Sequence, residues 1–342
     1  MPTPQIPIWA RDLPLLLAEV YAKMSAPLAV PEHRLFDLVE WVTRLPAQNP
    51  RRVHISRTLG RKILTPYEWN GIRRIIQAMT AGGDLRPFLG WRTRAIRDRR
   101  RPKGTRMNHD LFFSDWGLLH FHLGADFANT GRHVARTRRV MISYLTDEDA
   151  YLLDVAVHGK GAPEVWGNEH FLEVLERDWP EILAPFELRG VLGIAADSPI
   201  EPMQHVQARE AGVTTPVRIN DRYFIAPGLG IATDCTSVRA VRTAGRIRRE
   251  LDSSEKLFRA RFPDEDAVLF VGRDAAVGFF VPSKNVACRL LSQRTVGSVA
   301  AEFFRRLLEE SAILARSDPG AIWVPAGTPP SACLAEDTSS KC

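Results

Sequence analysis

Four cysteines are spread over 342 residues, at Cys235, Cys288, Cys333 and Cys342, and no two of them form a C-x-x-C pair. That spacing supports neither a zinc knuckle nor a disulfide framework, and it fits a reducing compartment. No apolar run approaches the roughly 18 residues of a membrane span. The opening segment Met1-Pro-Thr-Pro-Gln-Ile-Pro7 has no basic stretch followed by an apolar one, so the sequence predicts neither membrane insertion nor secretion, and a cytoplasmic location is expected. A P-loop lysine pattern, a G-x-S-x-G elbow and an H-E-x-x-H helix are all missing. Gly228-Leu-Gly230 is too short for a dinucleotide loop, and there is no internal repeat. These absences exclude the common nucleotide-hydrolysing, serine-hydrolase and zincin frameworks.

What is present is an ordinary globular mixture, 45% hydrophobic and 25% charged, in a chain long enough for two domains. Forty-six Lys and Arg against 40 Asp and Glu give a net charge of +6. The excess is concentrated. Between Arg86 and Arg106 lie nine basic residues, among them Arg97, Arg99, Arg100 and Arg101, opposed only by Asp98. A block of that density repels itself unless an anion is near, so it reads as a basic loop that either connects two segments or meets nucleic acid. A second group, Arg239, Arg242, Arg246 and Arg249, steps by three, four and three along a helix whose buried stripe is Ala240, Ala244, Ile247 and Leu251. Such a stripe is either a solvated face or a track for phosphates.

Periodicity divides the chain further. Leu13, Leu16, Leu17, Val20, Tyr21 and Met24 recur at helical spacing, as do Leu35, Leu38, Val39, Val42 and Leu45. Thr65-Pro66-Tyr67-Glu68 opens a third helix as a capping box with proline at its first position, and Gly82-Gly83 closes it. Strands are expected over 117–124, 140–145 and 150–158 as antiparallel neighbours, with a helix from about Asn168 to Trp179. Asn220-Asp221 joins a hairpin. A helix is expected over 234–251, a strand pair over 267–271 and 277–281, and a last helix over 296–314. The predicted class is α+β: a helical region over 1–85, a basic loop over 86–107, an antiparallel-sheet core over 108–190, a second smaller α+β domain over 200–317 and a disordered tail over 318–342.

Six of the nine histidines fall between His109 and His170. In Gly117-Leu-Leu-His-Phe-His-Leu-Gly124 the alternation places His120 and His122 on one side of a strand and Leu119, Phe121 and Leu123 on the other. With Val140, Ile142 and Tyr144 put beside Tyr151, Leu153, Val155 and Val157 on an apolar face, the opposite face carries His120, His122, Ser143, Asp154 and His158. Imidazoles act as acid, base or metal ligand near neutral pH. Three readings are open. His120 and His122, completed by Asp154 or His158, could hold a divalent metal. His120, His122 and His158 could serve as acid and base in metal-free phosphodiester cleavage, with Arg132, His133, Arg136, Arg138 and Arg139 on the phosphate. Or the histidines are structural, hydrogen-bonded to backbone or to neighbouring carboxylates, of which Asp115, Asp126 and Asp154 are available. His109 and His170 are expected at the surface.

The run Asn108-His-Asp-Leu-Phe-Phe-Ser-Asp-Trp-Gly-Leu-Leu-His-Phe-His-Leu-Gly124, followed by Ala150-Tyr-Leu-Leu-Asp-Val155, His158 and Trp179-Pro-Glu181, resembles uncharacterised bacterial proteins that share a D-W-G-x-x-H-x-H-L-G core, some of them from mobile elements. The resemblance spans roughly residues 80 to 185 and implies no activity. The order of helices, antiparallel sheet and basic surface is also loosely similar to RelE-type ribonuclease toxins, which are much shorter and whose catalytic residues match none here individually. The leading expectation is a bacterial protein acting on RNA or DNA, a nuclease (hydrolase) of toxin or defence type. The alternatives are a nucleic-acid-binding or regulatory protein without turnover, and a metal-dependent enzyme of a small molecule.

Overall fold

The computed structural model describes residues 6–23, 31–94, 96, 110–124, 133–159, 161–190, 200–233, 235–272, 275–292 and 297–315. It is an α+β protein, as expected. No helix among the described residues is long and apolar enough to cross a membrane. The chain forms two compact units, each assembled from segments distant in sequence: residues 43–95 with 103–239, and residues 1–42 with 96–102 and 240–342. The predicted segments followed composition along the chain and so are drawn differently: the contact-defined units part the first two helices from the third at Val42.

The first unit is built on a four-stranded sheet of order β1-β4-β3-β2, comprising β1 (Arg52–Ile55), β2 (Leu118–His122), β3 (Arg139–Leu145) and β4 (Asp149–Val157). β2, β3 and β4 are consecutive antiparallel neighbours, and β1 adds to β4 in parallel. The helix Pro66–Ala81 begins and ends where its sequence signals stand. Thr65 and Glu68 exchange hydrogen bonds as a capping box, and Gly82 closes the helix at φ 70°. Its Gly71 lies directly on β2, since a Cβ there would stand 2.2 Å from the Leu123 carbonyl oxygen.

The register corrects the predicted faces. Leu118, His120 and His122 stand opposite Tyr144, Ile142 and Val140, so the histidines share a face with those apolar residues, and Ser143 is on the other side. β3 and β4 then slip by one residue between Ile142 and Ser143, a bulge at Leu153. Tyr151 pairs with Tyr144 and Asp154 with Ile142, whereas Val155 pairs with Met141 and points away. Core and site therefore occupy one face. The helix His170–Asp178 covers it with Phe171, Leu172 and Leu175, which pack with Trp116, Leu118, Val140, Ile142 and Leu153.

The hairpin β5 (Val217–Ile219) and β6 (Arg222–Phe224) turns at Asn220 and Asp221, whose φ angles of 48° and 61° are those of a type I′ turn. Assigned by sequence to the second domain, it instead adds Val217, Ile219 and Phe224 to the core of the sheet unit. Part of the basic segment is also built in: Pro87 O accepts from Val134 N, and Leu89 bridges Phe121.

The other unit joins the helices Ile8–Lys23, Pro31–Arg44, Val238–Arg261 and Val299–Ala315 to a sheet of order β7-β8-β9, made of β7 (Val268–Val271), β8 (Val277–Val281) and β9 (Val286–Leu291). The first two residues of the Val238 helix and the last two of the Pro31 helix belong to the sheet unit. Two glutamates of the Val238–Arg261 helix cap two other helices. Glu255 accepts from Ile8 N at 2.9 Å and Trp9 N at 3.2 Å; Glu250 accepts from Val299 N at 3.1 Å, Ala300 N at 2.9 Å and Ser298 Oγ at 2.9 Å. Each places a negative charge on N–H groups that no helical carbonyl reaches.

Candidate functional site: a cluster of three histidines

β2 and the end of β4 bring three imidazoles together. Ring centroids lie 6.1 Å apart for His120 and His122, 6.0 Å for His120 and His158, and 5.1 Å for His122 and His158. Trp166 closes one side, 4.9 Å from His120 and 5.7 Å from His158. The indole comes from the 3-10 turn Pro163–Gly167, which is fixed from behind: Arg209 donates to the Trp166 carbonyl, and Gly167 fits against the Pro202 carbonyl where a Cβ would not. Arg209 is itself paired with buried Asp115 at 2.5 Å and lies over the Trp116 ring at 4.1 Å. On the other side of His120, Gly90 leaves room for the ring, and the buried carboxylate of Asp110 stands 3.7 Å from its Nδ1. Asp110 accepts from Thr93 Oγ1 at 2.6 Å and from Phe113 N at 3.2 Å, so it is held at the start of the helix Leu111–Trp116.

The proton on His122 has a fixed place. Its Nδ1 accepts the backbone N–H of Thr137 at 3.4 Å, which leaves the hydrogen of the neutral ring on Nε2. Among the described residues that Nε2 is buried without a hydrogen-bond partner, and so is Nε2 of His158. Burial, reinforced by the charges of the neighbouring histidines and Arg136, lowers His122 to about 3; burial, then His120 and Arg136, lowers His158 to about 4. Both rings are neutral at physiological pH. His122 is 3% exposed, while His158 is half-buried and Arg136 exposed, so the cluster opens to solvent on the side of the latter two.

Asp154 does not join the three rings. It accepts from Lys62 Nζ at 2.8 and 3.0 Å, from its neighbour Val155 N at 2.7 Å and from His170 Nε2 at 3.3 Å. Burial opposes its charge, but the hydrogen bonds from His170 and Lys62 outweigh that and hold the carboxyl below its usual range. The bulge is the local cause: the Leu153 carbonyl accepts from Ser56 Oγ, Ser56 caps the turn Arg57–Gly60, and Lys62 follows that turn. His170, expected at the surface, is the partner of Asp154.

The predicted phosphate arginines separate. Arg136 and Arg138 are exposed; Arg139 is bonded to both oxygens of Glu68 at 3.1 Å and serves the capping box instead. His133 meets Arg94 at 2.6 Å. Arg132, Arg97, Arg99, Arg100 and Arg101 lie outside the described residues, as do His109, Asp126 and the C-terminal tail. Of the helical stripe, Arg242, Arg246 and Arg249 are exposed, but Arg239 is not part of it. Its guanidinium lies over the Phe113 ring at 5.5 Å and reaches Pro227 O at 3.5 Å, and burial lowers its pKa.

Trp166, Gly90, Asp110 and Lys62 carry no local signal in the sequence, because each reaches the site through a loop whose path only the fold defines. The carboxylates offered to the histidines are engaged elsewhere, Asp115 by Arg209 and Asp154 by Lys62 and His170. Among the described residues, no three His, Cys, Asp or Glu side chains are placed to hold a metal ion. No protein-family model, curated protein or solved structure matches this chain.

Proposed function

We propose that this protein cleaves nucleic acid, most directly single-stranded RNA, at the His120, His122 and His158 cluster, by acid-base chemistry. The observation that supports the reading is the juxtaposition of two imidazoles whose Nε2 atoms have no hydrogen-bond partner among the described residues. His122 presents an Nε2–H, and the less buried residue His158 stands beside it, near the charge of Arg136. Transfer at a phosphodiester needs a base for the attacking hydroxyl, a donor for the oxygen that gains charge and a proton for the leaving oxygen. His158 takes the 2′-hydroxyl proton as that oxygen attacks phosphorus; the Nε2–H of His122 and Arg136 face the non-bridging oxygens. His120, whose imidazolium would face Asp110, returns a proton to the departing 5′ oxygen.

The test is incubation with labelled single-stranded RNA and duplex DNA, with and without EDTA, for the wild type and His158→Ala. Cleavage of RNA that survives EDTA and is lost in the variant supports the reading. Binding without cleavage in every lane replaces it with a regulatory, non-catalytic role, and cleavage abolished by EDTA replaces it with metal chemistry.

A further inference from the structure

Three arginines of the Val238–Arg261 helix, Arg242, Arg246 and Arg249, take no part in the chemistry of the histidines or in the packing of their own unit. Steps of four and three residues put them within an arc of about 60° and along about 10 Å of helix axis. Ala240, Ala244, Ile247 and Leu251 are buried on the opposite side, so the helix is held while the three side chains stand in solvent. Among the described residues none of the three has an ion-pair partner. The carboxylates of the same helix are committed elsewhere: Glu250 to Ser298, Val299 and Ala300, Asp252 to Lys256, and Glu255 to Ile8 and Trp9. Like charges four and three residues apart oppose helix formation, so the fold gains nothing from this arrangement. Gly245 lies among them, in mid-helix, where glycine weakens the helix. Among the described residues a Cβ there would meet the Arg249 guanidinium at 3.5 Å and no packing neighbour. Glycine is not required by the interior at this point, and bare backbone suits a close approach from outside.

We infer that this face binds the sugar-phosphate backbone of a single nucleic-acid strand, with Arg242, Arg246 and Arg249 on successive phosphates and Gly245 beneath the strand. About 10 Å of helix axis corresponds to about three phosphates at ~3.4 Å of rise per strand residue. Ser253 and Lys256 continue the face by two more turns, and no acidic side chain stands in the stripe. Between the arginines there is no apolar centre of the kind a protein partner or a membrane surface engages, whereas a polar, strongly positive face is the character of a nucleic-acid interface. Contacts to phosphates alone hold a strand without reading its bases. The three histidines belong to the other unit, and strand binding on this helix needs no cleavage there.

Fluorescence anisotropy of a labelled oligodeoxythymidylate, titrated with the whole chain between about 50 and about 200 mM salt, reads affinity and its salt dependence. The probe has no 2′-hydroxyl and so is not cut by the proposed route. Three phosphate contacts at ~0.7 each predict that the triple variant Arg242→Gln, Arg246→Gln and Arg249→Gln lowers the slope of log K against log salt by about 2 and the affinity by about tenfold or more. The triple Arg→Lys variant, which keeps the charge, should hold the slope within about 0.5 of the wild type. Gly245→Gln should weaken binding by about threefold or more without lowering Tm, since it fills the face and favours the helix. An unchanged slope in the triple Gln variant overturns the inference. So does an equal loss in a control that replaces exposed Arg73, Arg189 and Arg218 of the other unit by Gln, which would assign the effect to net charge. Competition by polyglutamate as strong as by unlabelled oligonucleotide, or binding to phosphatidylserine vesicles that is lost in the triple Gln variant, replaces the strand with an acidic protein or a membrane surface. Strand binding with the expected slopes but no RNA cleavage removes the nuclease and leaves this face standing. RNA cleavage with the slope unchanged in the triple Gln variant does the reverse.

Discussion

A Cβ placed on Gly90 would stand 2.7 Å from Nε2 of His120. The His120 ring therefore occupies the volume that any larger residue at position 90 would need. Gly90→Ala is expected to displace the ring and lower RNA cleavage by about tenfold or more, with a loss of stability in the ~1–3 kcal/mol range of an overpacked site. Steady-state kinetics with a thermal melt checks this. Undiminished cleavage would remove His120 from the reaction.

Acid should weaken the fold earlier than carboxylates alone would. In the folded protein His122 and His158 stay neutral down to about 3 and about 4, whereas an unfolded chain protonates them below about 6.5. The unfolded state then binds more protons below pH 6.5. Stability is level above that pH and falls as the pH drops toward 4, by at most ~1.4 kcal/mol per unit for each ring and by less for the more exposed His158. Urea midpoints at pH 7, 6 and 5 measure this. A flat profile in the wild type, or one unchanged by His122→Gln, would contradict the burial of the cluster.

Glu250→Ala removes the acceptor of two backbone N–H groups and the Ser298 hydroxyl at the start of the Val299–Ala315 helix. The expected cost is ~1–2 kcal/mol, read as a lower Tm. Lys256→Ala, on an exposed stretch of the same helix, serves as control and should shift stability by no more than about 0.5 kcal/mol.

Arg209→Met should be the most damaging of these substitutions. It leaves Asp115, whose carboxyl burial already pushes up, without the guanidinium paired with it, and removes the donor to the Trp166 carbonyl. Breaking one side of a buried pair costs ~3–5 kcal/mol, and adding Asp115→Asn should recover part of that. Chemical denaturation of both variants decides it. A double variant no more stable than the single would assign the loss to packing on Trp116.

Local chemistry was legible where it was complete within a few residues. Thr65-Pro66-Tyr67-Glu68 and Gly82 bound their helix, and Asn220-Asp221 turns its hairpin, because capping and positive φ are decided on the spot. The trio of histidines was legible for a related reason, since alternation alone puts His120 and His122 side by side. Their face was not. In β3, Val140, Met141 and Ile142 are buried on both sides of the sheet, so its composition does not say which side meets the histidines; that depends on the register with β2. β1 is four residues long with two exposed ends, and β9 begins with half-buried Val286 and Ala287, so neither shows the alternation by which a strand is read.

The bulge at Leu153 decides more than the position of Asp154. Tyr151 and His158 are seven apart, an odd interval, and an unbroken strand would send them to opposite sides of the sheet. One spare residue corrects the parity, so that β4 stacks Tyr151 on His54 at one end and delivers His158 to the other two imidazoles at its far end, both from the same side. A sheet made more regular by deleting Leu153 would keep every other residue of the strand and still turn one of those two ends away from its partners.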